Sequence, residues 1–249
     1  MEAMCRQAVS LGLRQIAFTD HVDYVPADIG YGFFQPQAYV DQIERCRELY
    51  GDQLAILSGV EIGECHRFQP EAGALLSAHS FDLVIGSLHW VNDEYLGESQ
   101  YYQRRSAREG WGTYFAELER MARAGGFDVL GHLDIVRRYG GESFGRSDMA
   151  RYEDAIRPIL DALIQNGIAL EINTSSLRTW LKLSNPDAVV VGWYREMGGE
   201  LLTFGSDSHA WPDIASGWQV AVEIAGAAGF THLTTFRKRV PHQIPLESA

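Results

Sequence analysis

Two rhythms of apolar residues alternate along the chain. Short, nearly unbroken apolar runs occur at 15–21 (QIAFTDH), 54–61 (LAILSGVE), 82–89 (DLVIGSLH), 128–134 (DVLGHLD), 168–174 (IALEINT) and 201–207 (LLTFGSD). Between them, apolar positions return every three or four residues near 36–50, 70–79, 111–125, 147–166, 186–198 and 215–228. The runs predict strands and the wider spacing predicts helices. Pro36, Pro70 and Pro186 fall near the starts of three helices, where a missing N–H costs nothing. Gly51, Gly125, Gly167 and Gly229 follow helix ends. Runs without polar alternation fit strands covered on both faces, and the βα alternation predicts parallel strands with right-handed crossovers. The opening MEAMCRQAVSLGL carries a helical stripe at Met1, Met4, Cys5 and Ala8, with a stop at Gly12. No Ser, Thr, Asp or Asn precedes that helix, so its first N–H groups lack an obvious cap.

Periodicity admits either a barrel or a doubly wound sheet; the polar residues separate the two. The strands finish on His21, Glu61, His89, Asp134 beside His132, Glu171 with Asn173, and Asp207 with His209. An α/β barrel builds its active site from the C-terminal ends of its strands, whereas an open sheet concentrates such residues at one switch point. Polar termini on every strand favour a closed ring.

Composition narrows the setting. The chain has 249 residues, 46% hydrophobic and 22% charged, which suits one soluble domain over 1–249 with a sizeable core. No apolar run approaches the roughly 20 residues that cross a membrane, and the N-terminus lacks the pattern of a signal peptide. Cys5, Cys46 and Cys65 are few and widely spaced, which argues against a disulfide framework or a thiolate zinc site and for a reducing cytoplasm. A net charge of −12 argues against nucleic acid or an anionic membrane as partner. An anionic small molecule would have to be held by local charges or metal ions.

Taken singly, a His at a strand end is usually a hydrogen-bonded structural residue, and Asp134 would cap the turn after its strand. Taken together, so many carboxylates and imidazoles at one barrel mouth are costly unless something compensates. Divalent Zn, Mn or Fe ions compensate directly, and a carboxylate can bridge two of them. A centre with two or more such ions points to phosphoester hydrolysis, in which bound water is activated to hydroxide and phosphoryl oxygens are clamped. The phosphate would also need Arg, whose fork matches it. Arg178, in EINTSSLR, and Arg137 or Arg138, in GHLDIVRRYG, lie just beyond strand ends, and Arg138 is carried as the second candidate. His66, His79, His232 and His242 match no strand end and read as surface or structural residues. Tyr24, Tyr31, Phe33, Phe34 and Trp90 follow strand ends, placed either to line a pocket or to pack the core.

The segments FTDH (18–21), GVEIGE (59–64), GSLHW (86–90), GHLDIVRRYG (131–140), EINTSSLR (171–178) and GSDSHAW (205–211) resemble, in order and spacing, the PHP (polymerase and histidinol phosphatase) family of metal-dependent phosphoesterases. EINTSSLR and the tail GFTHLTTFRKR look most like the histidinol-phosphate phosphatase branch. The resemblance implies a distorted (β/α)7 TIM-like barrel with two or three divalent ions at the strand C-termini. The matching ligand positions are His21, Glu61, His89, His132, Asp207 and His209, with Glu61 bridging. It also implies a cytoplasmic phosphomonoester hydrolase of histidine biosynthesis acting on L-histidinol phosphate. The alternatives are another small phosphorylated metabolite or a non-catalytic form. Asp207 and His209 are the candidate proton carriers, and Arg178 and Arg138 the candidate phosphate ligands.

One departure accompanies the match. The family begins with a strand ending in an H-x-H motif, and here the first His is already His21, in the second motif. Two readings account for this: the natural protein carries the motif upstream of Met1, or the barrel is short of its first strand. The short form would be expected to show reduced metal occupancy and weak or no turnover.

Overall fold

The computed structural model describes residues 1–246. Six strands form one sheet in chain order: β1 (Gln15–Val22), β2 (Ala55–Gly63), β3 (Leu83–Ser87), β4 (Val129–Leu130), β5 (Ala169–Asn173) and β6 (Leu202–Gly205). Each is parallel to its neighbour. All six apolar runs thus become strands, as the strand–helix rhythm predicts. β4 is much shorter than its run, because the chain leaves the extended region at once and His132 takes φ +22°.

The main connecting helices are α1 (Glu2–Ser10), α2 (Pro36–Tyr50), α3 (Gln69–Ala78), α4 (Ala107–Ala124), α5 (Glu153–Asn166), α6 (Ala188–Glu196) and α7 (Trp218–Ala227). α1 has no side-chain cap at Met1 and stops before Gly12, at φ +73°. α4 starts earlier than the periodicity predicts. Its true start is a capping box in which Ser106 and Glu109 satisfy each other's backbone N–H groups. Gly110 hides that start, and it is glycine because the Phe144 ring fills the space a Cβ would take, 2.5 Å away. Trp111, Tyr114, Phe115 and Leu118 are then fully buried along one face of α4, which packs on α5 and on the short strand Trp90–Val91.

The sheet is strongly curled. Adjacent strands sit about 4.8 Å apart, so the edges of a flat six-stranded sheet would lie roughly 24 Å apart. Instead the ring centroids of His21, at the end of β1, and His209, beyond β6, are 5.7 Å apart. Among the described residues β1 and β6 do not pair with each other, so the ring is an open one closed only at its C-terminal rim. α1 touches β1, α2 and the turn Trp211–Asp213, and so lies along the open seam.

The opposite end is plugged by an antiparallel hairpin, β7 (His232–Arg237) and β8 (Val240–Pro245), which the sequence pattern does not reveal. Its turn is Lys238–Arg239, with φ +50° and +64°, and lacks the Gly or Asn that normally marks a turn of this hand. Phe236 packs against Leu83, Val129 and Ala169. The turn is tied to the sheet through Lys238 N–H to Asp82 Oδ1 (3.1 Å) and Arg239 Nε to Asp128 Oδ2 (2.9 Å). No helix among the described residues is long and apolar enough to cross a membrane.

Candidate metal centre

The parallel register sets His21 beside Glu61 on the neighbouring strand. Loops after β3 and β4 bring His89 and His132 to the same carboxylate. Glu61 Oε1 lies 3.3 Å from His89 Nε2 and 3.2 Å from His132 Nε2. Its Oε2 lies 3.9 Å from His21 Nε2. The imidazoles form an arc, with centroid spacings of 5.5 Å (His132–His89), 5.4 Å (His89–His21) and 5.7 Å (His21–His209). Donor atoms of His21, Glu61 and His89 all fall within 4.8 Å of one another, a spacing and donor set that fit a divalent cation.

Burial works against every charge here, and the cluster overrides it. Burial pushes the Glu61 carboxyl up, but His21, His132 and His89 together hold it well below the usual carboxylate range. Burial pulls the His89 imidazole down, yet Asp23 and Glu61 hold it well above its ordinary value. His132 follows the same pattern through Glu61. His132 at φ +22° and Asp207 at φ +47° are non-glycine residues in the left-handed region, the kind of strain that functional sites retain.

At the far side of the arc, Asp207 Oδ1 lies 3.4 Å from His209 Nδ1, and His209 is exposed at the mouth. Both candidate arginines reach Asp207. Arg178 Nη2 donates to the Asp207 carbonyl at 2.9 Å, and Arg138 Nη1 stands 4.0 Å from Asp207 Oδ2 and 3.3 Å from Ser175 Oγ. Arg178 Nη1 is buried without a protein partner. All eight candidate side chains therefore face one rim.

Other strand-end residues serve the fold. Asp134 is fully buried and accepts from Asn185 Nδ2 (2.6 Å) and Asp187 N–H (3.1 Å), with buried Arg137 at 3.5 Å. Arg137 in turn donates to Asp187 (2.9 Å), so the choice between Arg137 and Arg138 is made by packing: Arg137 is locked inside. The His66 ring packs against Glu117 at 2.6 Å. Trp90 is buried and donates to Asp28, whereas Tyr31 and Phe33 are exposed.

The sequence reading misses two acids and gives a third no role. Asp23 touches both His21 and His89; the spacing in DHVD, two residues apart along an extended chain, is the signal for it. Glu64 accepts the backbone N–H groups of His89 and Trp90, and burial raises its carboxyl to about 7. Glu171 accepts the N–H of the strained His132 at 2.8 Å and the Asn173 amide at 3.1 Å; burial raises it to about 7. A Cβ on Gly205 would stand 1.9 Å from Glu171 Oε1. Gly205→Ala must therefore push Glu171 off His132, and is expected to cost about 1–3 kcal/mol of stability in denaturant melts. It is also expected to weaken zinc binding in the same protein.

The PHP domain family model matches residues 1–175. A histidinol-phosphatase of Lactococcus lactis subsp. lactis is 29% identical over 236 residues, which cover 92% of this chain and 86% of that protein. A histidinol-phosphatase of Bacillus subtilis is 22% identical over 244 residues, covering 87% of this chain and 90% of that one. Among solved structures, the histidinol phosphate phosphatase of Lactococcus lactis subsp. lactis, complexed with zinc, L-histidinol and phosphate, superimposes with a TM-score of 0.85 at 25% identity, covering 96% of this chain and 91% of that one.

Proposed function

Since this chain belongs to the PHP domain family, we propose that it is a metal-dependent phosphomonoester hydrolase that converts L-histidinol phosphate and water to L-histidinol and phosphate. The observation that carries this reading is the convergence of three imidazole Nε2 atoms on one buried carboxylate, Glu61, at the C-terminal rim. Residues 1–249 act as one barrel domain in this reading. The three cysteines are buried and unpaired, in keeping with a reducing cytoplasm.

His21, Glu61, His89 and His132 would hold zinc, manganese or iron on one side of the arc, and Asp207, with His209 when its Nε2 is not the proton donor, would add donors on the other. When bound, such ions supply positive charge to phosphoryl oxygens and lower the pKa of water. The chain's own contribution is orientation and proton transfer. We assign Arg178 and Arg138 to the phosphoryl oxygens: Arg178 Nη1 has no protein partner and Arg138 stands beside it along Asp207. The proton for the leaving alkoxide is assigned to His209, which is exposed at the rim and faces Asp207 through Nδ1; in that role its Nε2 carries the proton and does not ligate an ion. Arg178→Lys keeps the charge and loses the fork, so it is expected to raise KM for L-histidinol phosphate on the order of tenfold. Steady-state kinetics at fixed zinc checks it.

A substrate panel tests the function itself. The expected result is a kcat/KM for L-histidinol phosphate well above those for p-nitrophenyl phosphate and nucleoside monophosphates. A preference for a nucleotide would replace the substrate in this reading, and no release from any monoester with metal present would overturn it.

A further inference from the structure

We infer that Asp23 is a positioning residue that fixes the ring orientation of His21 and His89 together, presenting both Nε2 atoms to Glu61. Its two oxygens are divided between the two rings. Oδ1 accepts from His89 Nδ1 at 3.4 Å, and Oδ2 faces His21 Nδ1 at 3.7 Å. The opposite nitrogens of the same rings face Glu61, at 3.3 Å and 3.9 Å. A neutral imidazole with a proton on Nδ1 has its lone pair on Nε2. The carboxylate behind the two rings therefore selects by a hydrogen bond for His89, and favours by its charge alone for His21, the tautomer whose Nε2 can ligate a cation.

The fold makes room for this carboxylate on two sides. A Cβ on Gly63 would stand 2.6 Å from Asp23 Oδ1, and a Cβ on Gly30 would stand 2.3 Å from Oδ2. The loop that supplies Gly30 is itself pinned: Asp28 accepts the Gly30 N–H at 2.6 Å and the indole N–H of Trp90 at 2.6 Å. Asp23 is buried, so neither oxygen is freely shared with solvent. The two glycines address different oxygens and hence different rings.

The functional consequence rests on the metal-centre reading, whereas the ring orientation can be read without activity. The experiment compares the wild type with Asp23→Asn, Gly63→Ala and Gly30→Ala, using zinc titration and 15N-histidine NMR of the zinc-loaded and metal-free proteins. The wild type is expected to show protected, downfield Nδ1–H resonances for His89 and His21, stronger for His89. Asp23→Asn is expected to weaken or lose both and to raise the zinc Kd by about 10- to 100-fold. Gly63→Ala is expected to affect His89 more, and Gly30→Ala to affect His21 more. Should Asp23→Asn not fold, the two glycine variants carry the comparison. Unchanged Nδ1–H resonances and an unchanged zinc Kd in the variants overturn the proposal. A wild type that binds no zinc contradicts the metal-centre reading, and the metal-free spectra then still decide the role of Asp23.

Discussion

Glu61→Gln is expected to reduce phosphate release from L-histidinol phosphate on the order of 10³-fold, and to weaken zinc binding at least as severely as any single imidazole change. The reason is convergence. His21, His89 and His132 each direct Nε2 at this one carboxylate, which is buried and held ionised by them. Glutamine keeps the shape but removes the charge, and it turns an N–H2 group toward atoms that need an acceptor or a cation. Circular dichroism and thermal melting of the metal-free variant separate this from misfolding. Near-normal turnover with a normal zinc Kd would mean that Glu61 is not the focus of the site.

Asp134→Ala is expected to destabilise the fold by about 3–5 kcal/mol, seen as a lower denaturant midpoint at an unchanged slope. Asp134 holds three groups at once, the Asn185 side chain, the Asp187 N–H and Arg137, and through Asp187 it steadies the start of α6. Burial raises its carboxyl despite the Arg137 charge, so its bonds are already working against desolvation. Removing it leaves a buried guanidinium with Asp187 as its remaining carboxylate, takes the acceptor from the half-buried Asp187 N–H, and leaves the buried Asn185 amide only the backbone carbonyl of residue 134 at 3.2 Å. Zinc affinity per folded molecule is expected to change far less than stability, which distinguishes a brace from a ligand.

These two acids show where sequence reasoning succeeds and where it stops. Glu61 and Asp134 occupy equivalent places at the ends of apolar runs, and both are carboxylates. What separates them is three-dimensional: Glu61 faces the imidazoles across the rim, while the turn after β4 carries Asp134 into the packing beneath the 185–187 loop. Strands and helices are legible because apolar spacing tracks burial, which is local in sequence. Asp23 is harder to find because it lies just past its strand, held by glycines 7 and 40 residues further along, at positions 30 and 63. Its one local signal is the two-residue step from His21. The hairpin β7–β8 escapes the pattern because a Lys–Arg turn lacks turn chemistry, and its docking depends on Asp82 and Asp128 far away in sequence. Arg137 and Arg138 are adjacent in sequence, and only packing puts one inside and the other at the rim.

The C-terminal rim, focused on Glu61, is proposed as a divalent metal centre for phosphate-ester hydrolysis. Zinc-edge anomalous diffraction from crystals grown with zinc, L-histidinol and phosphate tests it most directly. The expected result is an anomalous peak within about 2.0–2.2 Å of donor atoms of His21, Glu61 and His89, with phosphate between that peak and Arg178. Zinc bound only elsewhere, or phosphate held away from this rim, would contradict it.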